Sequence, residues 1–472
     1  MSKNTKIVAT LGPITCDPES IKKLIDCGAD IFRLNGSHNT LDWHKEVIRT
    51  VREVNPTIPI LMDIPGRKVR TALETADYPF KQGETLVITT NQNYKDNDKV
   101  IANYKELHKD LKAGDTVLCD DAQFKFIVSK VEGLDIFCEA HNDGVLKSCK
   151  GINIPYVRLN TPLVTAKDEE VLAFSVENKV DFVGVSFVES GEHVEEVRKH
   201  LKDSGVEIIA KVENQFGMDN LESILDSAFG ILVDRGDLGA ETEIFGLSIK
   251  QKKILNSAKQ KGVPVIVATE LLHHMTFNPF PTKAEINDIS NAVMDGGSAV
   301  MLSGETAIGR YPFECVSTMA KIIQETEIYQ YENRKAKKRV TDSIPSAMAS
   351  SLATICNEMP ISKVIAVTFS GYAVKMMSRF DLKQPTIVVT DTLEKARKFN
   401  LYKGVASYNL NISFDPKNTD HLTSSIEQLF KKGVLQEEDL LALTAVKYPT
   451  NTKMNLIEIH YMKDLIQVFN WK

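Results

Sequence analysis

Cysteine is sparse, long apolar runs are missing and neither sign of charge dominates, and each shortage closes off a class of protein. Seven cysteines (Cys16, Cys27, Cys119, Cys138, Cys149, Cys315 and Cys356) are scattered over 472 residues. Their number is odd, and no two have zinc or thioredoxin spacing, so a disulfide or zinc framework is excluded and a reducing compartment expected. No apolar run approaches the ~20 residues that span a bilayer. The segment Met1-Ser2-Lys3-Asn4-Thr5-Lys6 leads straight into an apolar run without a secretory pattern, so the expectation is a cytoplasmic protein with no membrane partner. A formal charge of -6 leaves no electrostatic footprint for nucleic acid. The basic run Arg334-Lys335-Ala336-Lys337-Lys338-Arg339 reads as a solvated helix end or linker. Neither a solenoid repeat nor a low-complexity tract is present.

What the chain does have is alternation. Apolar runs that end in a polar residue recur at Lys6–Thr10, Ile31–Asn35, Ile60–Asp63, Asp181–Phe187, Glu207–Glu213, Gly230–Asp237, Pro264–Glu270 and Ala299–Glu305. Continuous apolar runs are the mark of strands buried on both faces. Amphipathic stretches such as Pro18–Cys27, Leu41–Val54, Gly191–Ser204, Asn220–Ser227, Ile249–Lys261 and Thr282–Asp295 lie between most of them. The pattern predicts an α/β fold, a (β/α)8 TIM barrel with its site at the carboxyl ends of the strands. Those ends carry Thr10, Arg33, Asn35, Asp63, Ser186, Lys211, Glu213, Arg235, Asp237, Thr269, Ser303 and Glu305. Ionisable groups closing apolar strands are costly to bury singly, so the expectation is that they converge on one rim.

Two stretches break the alternation. Residues 72–157 hold short alternating pieces and turns, and read as a small β domain inserted into a barrel formed by 1–71 and 158–335. Residues 340–472 alternate strand and helix again and predict a C-terminal open α/β sheet.

The strongest constellation is Lys211, Glu213 and Asp237. Lys211 and Glu213 are two apart on a strand and share a side; Asp237 ends the next strand. Two carboxylates beside a lysine suit Mg2+ or Mn2+ and a phosphoryl-transfer reaction. The same spacing also suits a structural Lys–Glu ion pair.

The motifs resemble those of the pyruvate kinase family. They are Thr5-Lys6-Ile7-Val8-Ala9-Thr10-Leu11-Gly12-Pro13, Arg33-Leu34-Asn35-Gly36-Ser37-His38, Ile209-Ala210-Lys211-Val212-Glu213-Asn214, Arg235-Gly236-Asp237-Leu238-Gly239, Val267-Ala268-Thr269 and Met301-Leu302-Ser303-Gly304-Glu305-Thr306. The resemblance implies transfer of the phosphoryl group of phosphoenolpyruvate to ADP, giving pyruvate and ATP, as in the last step of glycolysis. It implies that Glu213 and Asp237 hold Mg2+ or Mn2+, that Lys211 neutralises the moving phosphoryl group and that Arg33 clamps phosphate. Thr269 would stand beside the enolate carbon, and backbone N–H groups at Gly236 and Asp237 would take the substrate carboxylate. His38, Arg70 and Lys150 match positions facing nucleotide phosphates. The insert, a small β-barrel in the family, would close as a lid. A homotetramer is implied.

The chain also departs from the family. Asn35, Ser37, Asp63 and the Ile64 carbonyl match a K+ site, but Lys68 stands where K+-dependent members carry Glu, and Lys there goes with K+ independence. Lys68 could instead point to solvent. Asp234 replaces the usual Ala; it either joins the metal region or faces a subunit contact. Gly36 replaces Phe, Glu270 replaces Gln, and His273-His274 reads as a surface pair. In the last domain Thr368-Phe369-Ser370-Gly371-Tyr372 and Lys447-Tyr448-Pro449-Thr450-Asn451-Thr452 lack the cations of the family's sugar-phosphate effector site, so regulation by fructose bisphosphate is not expected. Rival readings are a catalytically silent sensor of phosphoenolpyruvate or nucleotide, and another metal-dependent barrel enzyme acting on pyruvate enolate.

Overall fold

A computed structural model describes residues 3–73, 75–333, 341–410, 412, 420–445 and 455–471. The basic run 334–339 and the segment 447–452 lie outside the described residues.

Eight parallel strands close into a barrel: Lys6–Thr10, Ile31–Asn35, Ile60–Ile64, Phe182–Val185, Glu207–Val212, Gly230–Asp234, Val265–Ala268 and Ala299–Leu302. Each pairs with its neighbours in chain order, and the last pairs with the first through Lys6 opposite Ala299. The helices between them start where side chains can satisfy free N–H groups. Asp17 accepts from Ser20 N, with Pro18 opening the helix; Thr165–Asp168 and Thr282–Glu285 are reciprocal capping boxes.

The two-residue period of the strands builds the site's floor. Val8, Ile31, Leu61, Phe182, Ile209, Leu232, Ile266 and Ala299 form a buried apolar layer inside the barrel. Two residues further along five of these strands stand Thr10, Arg33, Asp63, Lys211 and Asp234, all buried. Polar groups therefore sit directly above a dry apolar plug, where charges interact more strongly than in water.

Between the third and fourth barrel strands, residues 78–153 form a six-stranded sheet and a two-stranded ribbon. The sheet's two edges, Val100–Ile101 and Ile152–Asn153, are joined by residues 70 and 71, which bridge to Gly151 and Ala102 respectively. The incoming chain thus closes the β structure that it enters. Its core of Leu86, Val117, Phe126 and Ile136 is separate from that of the barrel.

The C-terminal part is a five-stranded sheet ordered Val405–Asn409, Thr386–Thr390, Lys363–Val367, Leu440–Ala445, Leu456–Tyr461, with only the last strand antiparallel. It is tied to the barrel by Arg397, whose Nε donates to the buried Asp181 Oδ1 at 2.5 Å. All seven cysteines are free, as their spacing implied.

Candidate active site

Arg33 and Asp63 end adjacent strands. The guanidinium Nε and Nη2 both donate to Asp63 Oδ2, at 2.9 and 2.7 Å, and Nη1 reaches Thr10 Oγ1 at 3.3 Å. Asp63 fits only because residue 184 is glycine: a Cβ there would lie 2.0 Å from Asp63 Oδ1. Lys211 Nζ lies 2.8 Å from Glu213 Oε1, 3.8 Å from Asp63 Oδ2 and 3.8 Å from Asp234 Oδ2, and donates to Ser186 Oγ at 3.1 Å. Burial works against the ammonium, but Glu213, Asp63 and Asp234 outweigh it and raise its pKa. Glu213 is pushed up to about 7 by burial and by the nearby Asp237 and Asp234, against the pull of Lys211.

Ligand oxygens of Glu213, Asp234 and Asp237 all lie within 4.8 Å of one another. Glu213 Oε1 is fully buried and accepts no aligned hydrogen bond; its approach to Lys211 is an ion pair. An all-oxygen donor set of this kind suits a hard divalent cation.

Lys68 does not point to solvent. Its side chain is 15% exposed, and Nζ lies 2.5 Å from Asp237 Oδ1. Although burial opposes it, the charge of Asp237 raises the Lys68 pKa, and the ammonium in turn holds Asp237 low. Asp234 faces the same carboxylates, the first of the two placements its sequence position left open. Its pKa is raised by burial and by Asp237.

Thr269 follows the seventh strand with φ of 67°, a strained setting for a β-branched residue. Its Oγ1 accepts from Arg235 N and Gly236 N, both at 3.0 Å, and donates to Ala268 O at 2.7 Å. Arg235 is therefore not a rim group, contrary to expectation. Its guanidinium bonds Asp288 at 2.7 and 2.6 Å and Thr269 O at 2.5 Å, bracing the strained turn. Glu305 is likewise structural: buried, it accepts from Ser303 N at 2.8 Å and Leu272 N at 3.3 Å. Gly236 N is already engaged by Thr269, whereas Asp237 N has only a 3.5 Å approach to Asp234 Oδ1.

His38 is at the exposed rim; partial burial of its ring, then Arg70 and Arg33, lower its pKa. Lys150 Nζ pairs at 2.8 Å with Asp120, in the turn after the strand Thr116–Cys119. Of the K+ positions, Asn35 Oδ1 accepts from Ser37 N at 3.2 Å and the Ile64 carbonyl from Ser186 Oγ at 3.1 Å. Asp63 Oδ1 has no hydrogen-bond partner among the described residues. His273 and His274 are exposed, as expected of a surface pair.

Sequence reasoning missed the joint between insert and barrel. Asn153 Nδ2 donates to Glu241 Oε1 at 2.8 Å and reaches Asp237 Oδ1 at 3.4 Å, so the returning strand touches a site carboxylate. Both connecting segments meet the buried Glu189: Arg67 pairs with one oxygen, and Arg158 Nε lies 3.3 Å from the other. A cleft opens here, lined by Arg67, Lys68, Phe187, Phe216 and Glu241 among others. Arg67 and Arg158 are ordinary surface types in one dimension; only their shared carboxylate marks them.

His193 lies under this joint, 1% exposed. Burial and the Arg67 charge push its imidazole down to about 4 from 6.5. Between those values the unfolded chain takes up a proton that the folded chain refuses, so stability falls as pH drops from 6.5 through 4. Urea unfolding should show wild type losing about 2 kcal/mol more than His193→Gln across that window. Equal losses would remove His193 from the acid response.

Residues 2–316 match the family model for the pyruvate kinase barrel domain, and 346–460 the model for its alpha/beta domain. Curated relatives named pyruvate kinase agree along nearly the whole length. That of Clostridium perfringens is 34% identical over 463 residues, covering 95% of this chain and 97% of the relative. That of Borreliella burgdorferi is 34% identical over 477 residues, covering 99% of each. That of Thermococcus litoralis is 35% identical over 457 residues, covering 94% and 95%. Barrel, inserted β structure, charged barrel mouth and C-terminal sheet thus accompany likeness over almost every residue, and the chain belongs to the pyruvate kinase family.

Proposed function

We propose that this chain transfers the phosphoryl group of phosphoenolpyruvate to ADP, forming pyruvate and ATP, with Mg2+ or Mn2+ held by Glu213 and Asp237. The observation that carries the reading is Lys211 Nζ at 2.8 Å from Glu213 Oε1, above an apolar floor and beside the Asp234 and Asp237 carboxylates. When bound, the divalent ion supplies positive charge to the enolate and phosphoryl oxygens.

The residues divide the remaining work. Lys211 neutralises the phosphoryl group as it moves between oxygens, from a dry setting where a fixed cation is most effective. Arg33, its plane set by Asp63 through Nε and Nη2, has its Nη1–Nη2 edge left to clamp phosphate. The Asp237 N–H, with Gly236 leaving space for close approach, receives the substrate carboxylate. Thr269 is placed by its strained turn next to that carboxylate subsite, near the carbon that gains a proton. His38 and Arg70 face nucleotide phosphates, and Lys150 joins them on release from Asp120. Residues 72–157 act as a lid on the barrel of 1–71 and 158–335, with 340–472 as a C-terminal domain. Closure would keep water from a hydrolysable phosphoryl group.

The Lys68 ammonium beside Asp237 supports independence from K+, since a resident cation takes the part of a bound one. The Asn35, Ser37, Asp63 and Ile64 positions then need no ion. Thr368–Tyr372 forms a turn through Gly371, with φ of 74° and N–H on Thr368 Oγ1 at 3.2 Å. This is a turn role, and fructose bisphosphate is not assigned to it. No helix among the described residues is long and apolar enough to cross a membrane. Family likeness supports the further proposal of a cytoplasmic homotetramer.

The test is steady-state turnover coupled to lactate dehydrogenase, in buffer free of K+ and Na+. Full turnover with phosphoenolpyruvate, ADP and Mg2+ is expected. No turnover with Mg2+, Mn2+ and K+ all supplied would instead favour a sensor. Pyruvate release without ADP would favour another enolate chemistry.

A further inference from the structure

We infer that Asp234 is a third carboxylate ligand of the divalent cation, an inference that rests on the metal reading of Glu213 and Asp237. Asp234 ends the sixth barrel strand, two residues beyond the buried Leu232, so the strand period turns it inward above the apolar floor. It is 9% exposed. Its contacts are nevertheless poor: Oδ2 lies 3.8 Å from Lys211 Nζ, and Oδ1 lies 3.5 Å from Asp237 N. Both exceed the ordinary length of a charge-assisted hydrogen bond. A carboxylate buried this deeply without a close partner is strongly disfavoured. A cation among Glu213, Asp234 and Asp237, whose oxygens lie within 4.8 Å of one another, supplies that partner.

A capping role explains less. Asp234 precedes a seven-residue helix, Arg235–Glu241, but its cap bond is the 3.5 Å contact just given. The first two N–H groups of that helix are already held by Thr269 Oγ1.

Charge balance supports the same assignment. Lys68 Nζ, at 2.5 Å, competes with a metal for Asp237 Oδ1. The Asp234 carboxylate offsets the charge of that competing ammonium.

Binding of Mn2+ alone to the intact protein, without substrates, provides the test. Electron paramagnetic resonance gives free and bound Mn2+, and echo modulation in D2O counts the waters on the bound ion. Asp234→Ala should weaken Mn2+ about tenfold, since ligand charge count sets such affinities, and add one coordinated water. Asp234→Asn, which keeps a cap acceptor, should weaken it in the same direction if the Ala variant folds poorly. Glu213→Gln is the control. Weaker binding by Glu213→Gln with unchanged affinity and water count in both Asp234 variants would overturn the third ligand and leave the two-carboxylate site standing. Unchanged binding in all three would overturn both.

Discussion

Replacing Lys211 with methionine should lower turnover by about 10³-fold while Mn2+ still binds, because the loss falls on charge developed in transfer and not on metal capture. Methionine keeps much of the side chain's length and removes only the ammonium. The change strips the nearest cation from Glu213, with Asp63 and Asp234 each 3.8 Å from the lost charge. Unpaired buried carboxylates normally destabilise a fold by several kcal/mol. Loss of Lys211 removes the charge that holds Glu213 down against burial, so this carboxyl would take up a proton more readily, and a bound cation would also compensate. Mn2+ titration beside the coupled assay separates the effects. Turnover within tenfold of wild type would show that the ammonium is structural, the alternative that spacing alone left open.

Exchanging Lys68 for glutamate should make turnover depend on K+. Without monovalent cations, turnover should fall by about 10²-fold, the scale for losing one preorganised charge, and saturating K+ should restore most of it. Lys68 Nζ is the closest cation to Asp237 and also draws on Glu213 and Asp234. Glutamate would remove that charge and add another to three carboxylates. A Cs+ or Li+ series would distinguish a fitted ion from bulk ionic strength. Strong K+ stimulation of wild type, or a variant that no monovalent cation rescues, would sever Lys68 from the K+ question.

Much of the fold was legible because burial on both faces leaves a one-dimensional trace. The runs at Lys6–Thr10 and Ile31–Asn35 and the helices Pro18–Cys27 and Leu41–Val54 fall where the periodicity places them. In the last domain the helix Ile344–Glu358 and the edge strand Val405–Asn409 leave little trace in the sequence. The helix has many small residues, and the strand is buried only at Val405, so neither shows the apolar rhythm that marks an element.

By itself the sequence determined the alternation of strand and helix, the interruption between the third and fourth strands, and the motifs at strand ends that mark the family. Each rests on a local period or a short string of residues, so it survives in one dimension. Tertiary structure alone decided that Arg235 and Glu305 turn away to brace loops, that Lys68 turns in to Asp237, that Asp234 joins Glu213, and that Glu189 gathers Arg67 and Arg158. Each depends on the direction of a side chain relative to one far along the chain, which only closure of the barrel fixes.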